Sequence, residues 1–256
     1  GRVMTDRDAQ SSGHKTDQAR RRFLAGVMSA SALSALPGVH LIELAQARAP
    51  EEAVTDDIRW GMLVNTNSCG KGCTACVDAC GEEHRLTDFG RPETDARWIR
   101  KVDLVDRSTG RAVSLPLMCQ HCEHPPCVDV CPTGASFKRD DGIVLVDKHI
   151  CIGCRYCMLA CPYKARSFVH EPITDQAPHA PRGKGTVESC TFCVHRVDTG
   201  EQPACVDACD QAGHNALLFG DLNNPESEIS LALRAQPSRA LRGDLALNPS
   251  VRYQGI

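Results

Sequence analysis

The chain has 256 residues, a formal charge of −3, 16 cysteines and only 4% aromatic residues. The mild charge argues against a nucleic-acid binder, and the shortage of large rings means that something other than a big apolar core must organise the fold. The cysteines stand two and three residues apart within runs, a spacing that would badly strain several disulfides and suits metal ligation.

Residues 1–19 are polar, include Ser11-Ser12-Gly13 and lack apolar periodicity, the pattern of a disordered leader. Arg20-Arg21-Arg22-Phe23-Leu24 then opens a moderately apolar stretch to Val39, followed by Ala45-Gln46-Ala47. A basic patch, an apolar segment and a small-residue site are the three parts of an export signal, and paired arginines before Phe-Leu point to the twin-arginine route. Residues 1–47 are thus read as leader and signal, with cleavage after Ala47. Pro37, Gly38 and Glu43 interrupt the segment, so it falls short of the roughly 20 apolar residues of a spanning helix. Retention instead of cleavage would make it an N-terminal anchor.

After a charged lead-in, Trp60–Asn65 reads as a short strand, and Cys69, Cys73, Cys76 and Cys80 follow. The first gap holds Gly70-Lys71-Gly72, whose glycines can bend around one extra residue. Trp98–Val105 and Ala112–Met118 flank Ser108-Thr109-Gly110 and predict a hairpin. Residues 48–118 therefore hold the first cysteine run and a hairpin insert.

Cys119, Cys122, Cys127 and Cys131-Pro132 form the second run, and a turn with the strand Ile143–Asp147 leads into the third. The third, Cys151, Cys154, Cys157 and Cys161-Pro162, has the bacterial ferredoxin spacing, in which three thiolates hold one [4Fe–4S] cubane and the fourth reaches a second. That assigns Cys119, Cys122, Cys127 and Cys161 to one cluster, and Cys151, Cys154, Cys157 and Cys131 to the other. Residues 119–170 become an inner dicluster module, ending in a strand at Ala165–His170.

Residues 171–187, rich in Pro, Ala, Gly and charge, predict an exposed loop. Cys190, Cys193, Cys205 and Cys209 then complete an outer module over 171–215. The same crossing pairs Cys69, Cys73 and Cys76 with Cys209, and Cys190, Cys193 and Cys205 with Cys80, for four [4Fe–4S] clusters in all. In the tail, 216–256, Leu217–Gly220 predicts a strand and Ser227–Arg234 a short helix. Residues 235–256 read as an extended docking arm that lies on a neighbour or on its own domain.

Zinc ribbons use two separated cysteine pairs, which does not suit the third run, and no C-x-x-C is followed by the His that covalent haem requires. No dinucleotide fingerprint, nucleophile triad or acid–base carboxylate pair is present, and none of the ten histidines is needed for a metal. His121, His124 and His149 adjoin ligands and predict hydrogen bonds to a cluster. Lys71 and Arg155 are positioned to offset the charge of an oxidised cubane with its thiolates, about −2. Clusters without a substrate site imply a wire, with catalysis in partner subunits; a free soluble carrier and purely structural clusters are the alternatives.

From Trp60 to Tyr253 the chain resembles the four-cluster iron–sulfur subunits found beside molybdenum reductases and membrane quinone oxidoreductases, such as polysulfide, nitrite and tetrathionate reductase systems. The Arg20–Leu24 leader, the phrase from Cys69 to Cys80 and Asn248-Pro-Ser-Val-Arg-Tyr253 resemble the DsrO family, periplasmic ferredoxin-like subunits of sulfite-reduction-associated membrane complexes. The resemblance implies an α+β fold of two pseudo-symmetric bacterial-ferredoxin-like modules, with short strands, short helices and long loops. It implies the same sixteen ligands and a periplasmic place at the membrane. The implied partners are an NrfD-like quinone-interacting membrane subunit, a multihaem cytochrome c, and iron–sulfur and haem b subunits. Gly81 and Asp210 stand where many relatives have Pro, so the inner pair of clusters is the more secure.

Overall fold

The structure is a computed structural model that describes residues 53–256. The signal and leader expected in 1–47 lie outside these residues. The described chain is α+β, built from short strands and short helices between long loops.

Its central sheet has strand β1 (Trp60–Asn65) between the last two strands of the chain. Met62, Leu63 and Val64 are all buried, so β1 is covered on both faces and shows no period-two alternation. Trp60 stacks on Phe219, 5.2 Å between centroids, across the antiparallel pair. The helix α1 (Ala75–Glu83) follows β1 and carries Cys76 and Cys80 on its buried side.

The predicted hairpin is present as β2 (Arg100–Val105) and β3 (Ala112–Leu117), antiparallel with Arg100 opposite Leu117. Its tip is exposed, whereas Ser114 and Leu115 near its base are buried. Next come α2 (Pro126–Asp129), the paired strands β4 (Ser136–Lys138) and β5 (Val144–Val146), and α3 (Tyr156–Ala160). Strand β4 had no sequence signal of its own, because three residues cannot display an alternation. β6 (Ser167–Phe168) is shorter than the predicted strand and pairs with β7 (Val187–Glu188).

That pairing changes the expected exposed loop at 171–187. Ala177, Ala180 and Arg182 are buried; the Arg182 guanidinium donates to Glu188 at 2.8 and 3.0 Å and to the carbonyl of Arg85 at 2.9 Å. Closing the loop brings Arg182 onto a fully buried carboxylate, and an uncompensated charge there would be costly. The composition of the segment could not disclose this.

The helices α4 (Val194–Val197) and α5 (Ala204–Gln211) precede β8 (Leu217–Asp221) and α6 (Glu228–Ala235). Ser227 caps α6, its hydroxyl accepting from the Ser230 amide at 3.3 Å. The extended arm expected from residue 235 lies on its own domain and ends as a core strand, β9 (Val251–Gln254), parallel to β1. Tyr253 is wholly buried; its hydroxyl donates to the Pro116 carbonyl and accepts from Gln120 Nε2, both at 3.1 Å.

Candidate metal centres

The helices bring the cysteine runs into contact: α1 packs against α5, and α2 against α3. Cys69, Cys73 and Cys76 line one cavity with Cys209, which is distant in sequence. Cys119, Cys122 and Cys127 share a second with Cys161, and Cys151, Cys154 and Cys157 a third with Cys131. Cys80 lies among Cys190, Cys193 and Cys205, close enough for each thiol's charge to act on its own. All sixteen cysteines are free thiols, and each sits in one of four groups of four.

Tight loops create these groups. Gly153 has φ +70°, and a Cβ there would stand 2.1 Å from the Gly185 carbonyl oxygen. His121, Arg155, Phe192 and Cys193 also take positive φ, each in or beside a cysteine loop. For residues with a side chain this conformation costs on the order of 1 kcal/mol each, strain of the kind that gathers at functional sites.

Burial pushes the Cys190 and Cys122 thiols up to about 12 and those of Cys76 and Cys193 up to about 11. Neighbouring thiols add to the rise at the first three, and Glu83 adds to it at Cys193. Cys80, Cys119 and Cys205 are raised well above the usual thiol range for the same first reason. Four thiolates in one such group therefore require a cation among them.

The polar atoms around the groups narrow what that cation is. Arg166, buried, lines both the Cys119 and the Cys131 cavities, and its Nη2 donates to Cys127 Sγ at 3.1 Å and Ser136 Oγ at 2.7 Å. Its Nε and Nη1 are buried with no hydrogen-bond partner. His121 accepts from the Val144 amide through Nδ1 at 3.0 Å, which leaves its buried Nε2 as a second donor without a partner. A lone tetrahedral ion supplies no acceptor for such donors, whereas the sulfides of a cubane do; the residues present fit an iron–sulfur cluster. Backbone amides of Ser136 and Ala216 also donate to Cys131 and Cys209 Sγ, each at 3.3 Å.

Of the two cations that the sequence pointed to, Arg155 lines the Cys131 cavity and Lys71 lines none of the three cavities. Lys71 is exposed, and Arg155, also exposed, lies over the Phe168 ring at 4.9 Å. Lys101 takes the place of Lys71, its Nζ donating to the carbonyls of Gly70 and Cys73 at 2.6 Å, and Arg166 joins Arg155 at the Cys131 cavity. Of the three histidines beside ligands, His124 and His149 are exposed and only His121 is buried. His84, which the sequence did not single out, sits with Nε2 3.4 Å from Cys193 Sγ, and burial lowers its pKa to about 3. Lys101 reaches its site from a separate segment, whereas Arg166 and His84 follow Cys161 and Cys80 of the groups they face, and only the folded chain shows that they turn towards them.

A family profile described as "4Fe-4S dicluster domain" matches residues 111–221, a span that holds the last three cysteine runs. The chain is similar to Hdr-like menaquinol oxidoreductase iron-sulfur subunit 1 of Archaeoglobus fulgidus, 41% identical over 91% of this chain and 97% of that one. It is similar to a subunit of the tetrathionate reductase of Salmonella typhimurium, 34% identical over 95% and 91% of the two chains. A subunit of the sulfite dehydrogenase of Allochromatium vinosum is 35% identical over 75% of this chain and 81% of its own.

Proposed function

We infer the function of this chain from its family, the ferredoxin-like iron–sulfur electron-transfer subunits, to which it belongs: it relays electrons between redox subunits of a respiratory complex, and the catalysis resides in those partners. In this reading the sixteen cysteines are iron ligands of four [4Fe–4S] clusters, in the four groups given above. The clusters supply one-electron carriers, and the chain's own residues hold, space and electrostatically adjust them. The observation that carries the reading is the gathering of the cysteines into four groups, eleven of the sixteen buried, with the orphaned buried donors of Arg166 beside two of them. The contacts of α1 with α5 and of α2 with α3 are read as equivalent positions in two pseudo-symmetric modules.

The relatives support the wider of two assignments better. The tetrathionate reductase and sulfite dehydrogenase relatives favour an electron-transfer subunit of a molybdopterin-type oxidoreductase of sulfur compounds. The narrower assignment is a DsrO-type subunit linking an NrfD-like quinone-interacting membrane protein to a multihaem cytochrome c, with iron–sulfur and haem b subunits in the same complex. The menaquinol oxidoreductase relative favours it. Both assignments place the chain in the periplasm, peripheral to the membrane, after twin-arginine export. Among the described residues no helix is long and apolar enough to cross a membrane.

Anaerobically purified protein is expected to contain about 16 iron atoms and as many acid-labile sulfides per chain. A stable value near 8 would leave only a dicluster unit, and one near 4 would reject the relay. Mass spectrometry of the intact complex separates the two assignments, by a molybdopterin subunit in one case and a multihaem cytochrome c in the other.

A further inference from the structure

Three histidines from separate segments converge beside Cys193: His84 just after α1, His179 in the 171–187 loop and His195 in α4. A ring nitrogen of each lies within 4.8 Å of the other two. His84 is 1% exposed, and its Nδ1 is buried without a hydrogen-bond partner.

Each of the three rings is held through its Nε2. That atom of His84 is 3.4 Å from Cys193 Sγ, that of His195 is 2.7 Å from Glu83 Oε1, and that of His179 is 2.9 Å from the Glu83 carbonyl oxygen. Imidazoles anchored through one nitrogen to a carboxylate or carbonyl, as His195 and His179 are, with the second nitrogen left over, are the usual preparation for metal ligation. Glu83 orients two of the rings at once.

We propose that His84, His179 and His195 bind one divalent transition-metal ion of the zinc class, separate from the sixteen cysteines, with a fourth position open to water. Imidazole nitrogen suits zinc, and three protein ligands with one open place is a common zinc arrangement. Two cations face the rings: Arg196, beside His195, is paired with Glu83, Asp207 and Glu201, and Lys148, which acts on His84, lies over the Trp98 ring at 5.5 Å. His179 and His195 are stacked, 3.9 Å between centroids and 22° between planes, so the ion enters as the partly exposed His179 turns its ring away from the stack. Through His84 the ion stands one ring from Cys193, where its positive charge favours the thiolate.

Holoprotein incubated with excess zinc and dialysed tests the site, by elemental analysis and zinc X-ray absorption. One zinc per chain is expected, with nitrogen or oxygen neighbours at about 2.0–2.1 Å. His179→Ala/His195→Ala should lose that zinc with its iron content unchanged, and Glu83→Gln should bind it roughly 10–100-fold more weakly. Zinc with sulfur neighbours, zinc retained equally by the double variant, or no zinc retained by the wild type overturns the site. Should the double variant also lose iron, the Glu83→Gln titration decides, and an unchanged affinity overturns the site. Iron is counted in the same samples, so failure here is distinct from failure of the relay.

Discussion

In the proposed four-cluster reading, Arg166 is the single side chain that bears on both clusters of the inner pair. Its guanidinium lines two cysteine cavities, touches Cys127 and is held by Ser136. Burial works to lower its pKa, but the surrounding cysteines outweigh this and raise it. A buried positive charge favours the more negative, reduced state of a neighbouring cluster. Arg166→Met is therefore expected to lower the midpoint potentials of both inner clusters by about 60 mV or more, the one-electron equivalent of a tenfold change. Potentiometric titration followed by electron paramagnetic resonance measures this; two unshifted potentials would remove Arg166 from the role. Lys101 is the corresponding residue at the Cys69 cavity, but it holds the loop by its carbonyls and bonds no sulfur.

Among the elements, the cysteine loops matter more than the helices they lead into. The third run turns at Gly153, where a side chain would collide with the Gly185 backbone, and that backbone is fixed in turn by a hydrogen bond from the Gly185 amide to the Val169 carbonyl. Gly153→Ala should push the loop off this contact and cost the Cys131 group its cluster, lowering iron by about 4 atoms per chain while the other three groups stay filled. Iron analysis checks the count, and full occupancy would show that the loop yields without consequence. Strand β9 has the opposite character: it contributes no cysteine, yet seats Tyr253 between Gln120 and Pro116 and so fastens the second run to the hairpin. The spacing of cysteines told of the loops, but a tail with one short apolar segment did not tell of the strand.

For the molecule as a whole, the core is assembled around thiols. Eleven of the sixteen cysteines are buried, and seven of them belong to the main hydrophobic cluster, interleaved with Met62, Phe192 and Tyr253. Under the proposed reading, a core with so few aromatic residues and so many clustered thiols draws its cohesion from the metal. Removing iron with an oxidant and chelator is expected to abolish near-ultraviolet dichroism and protease resistance together, with both restored by iron, sulfide and reductant. A cooperative thermal transition in the iron-free chain would show that the apolar contacts suffice without the clusters.

The amino-acid sequence alone marked the four cysteine runs, the crossing of the inner two, strand β1, the hairpin and helix α6, because each follows from residues within a few positions of one another. Tertiary structure alone decided what surrounds the thiols. Arg166 bonds Ser136 from 30 residues away, Tyr253 bonds Gln120 from 133, and His195 meets Glu83 across 112. A cysteine run is defined by the reach of a short loop, whereas which neighbouring side chain turns towards it, and which distant residue holds that side chain in place, is defined by chain closure and leaves no local pattern to read.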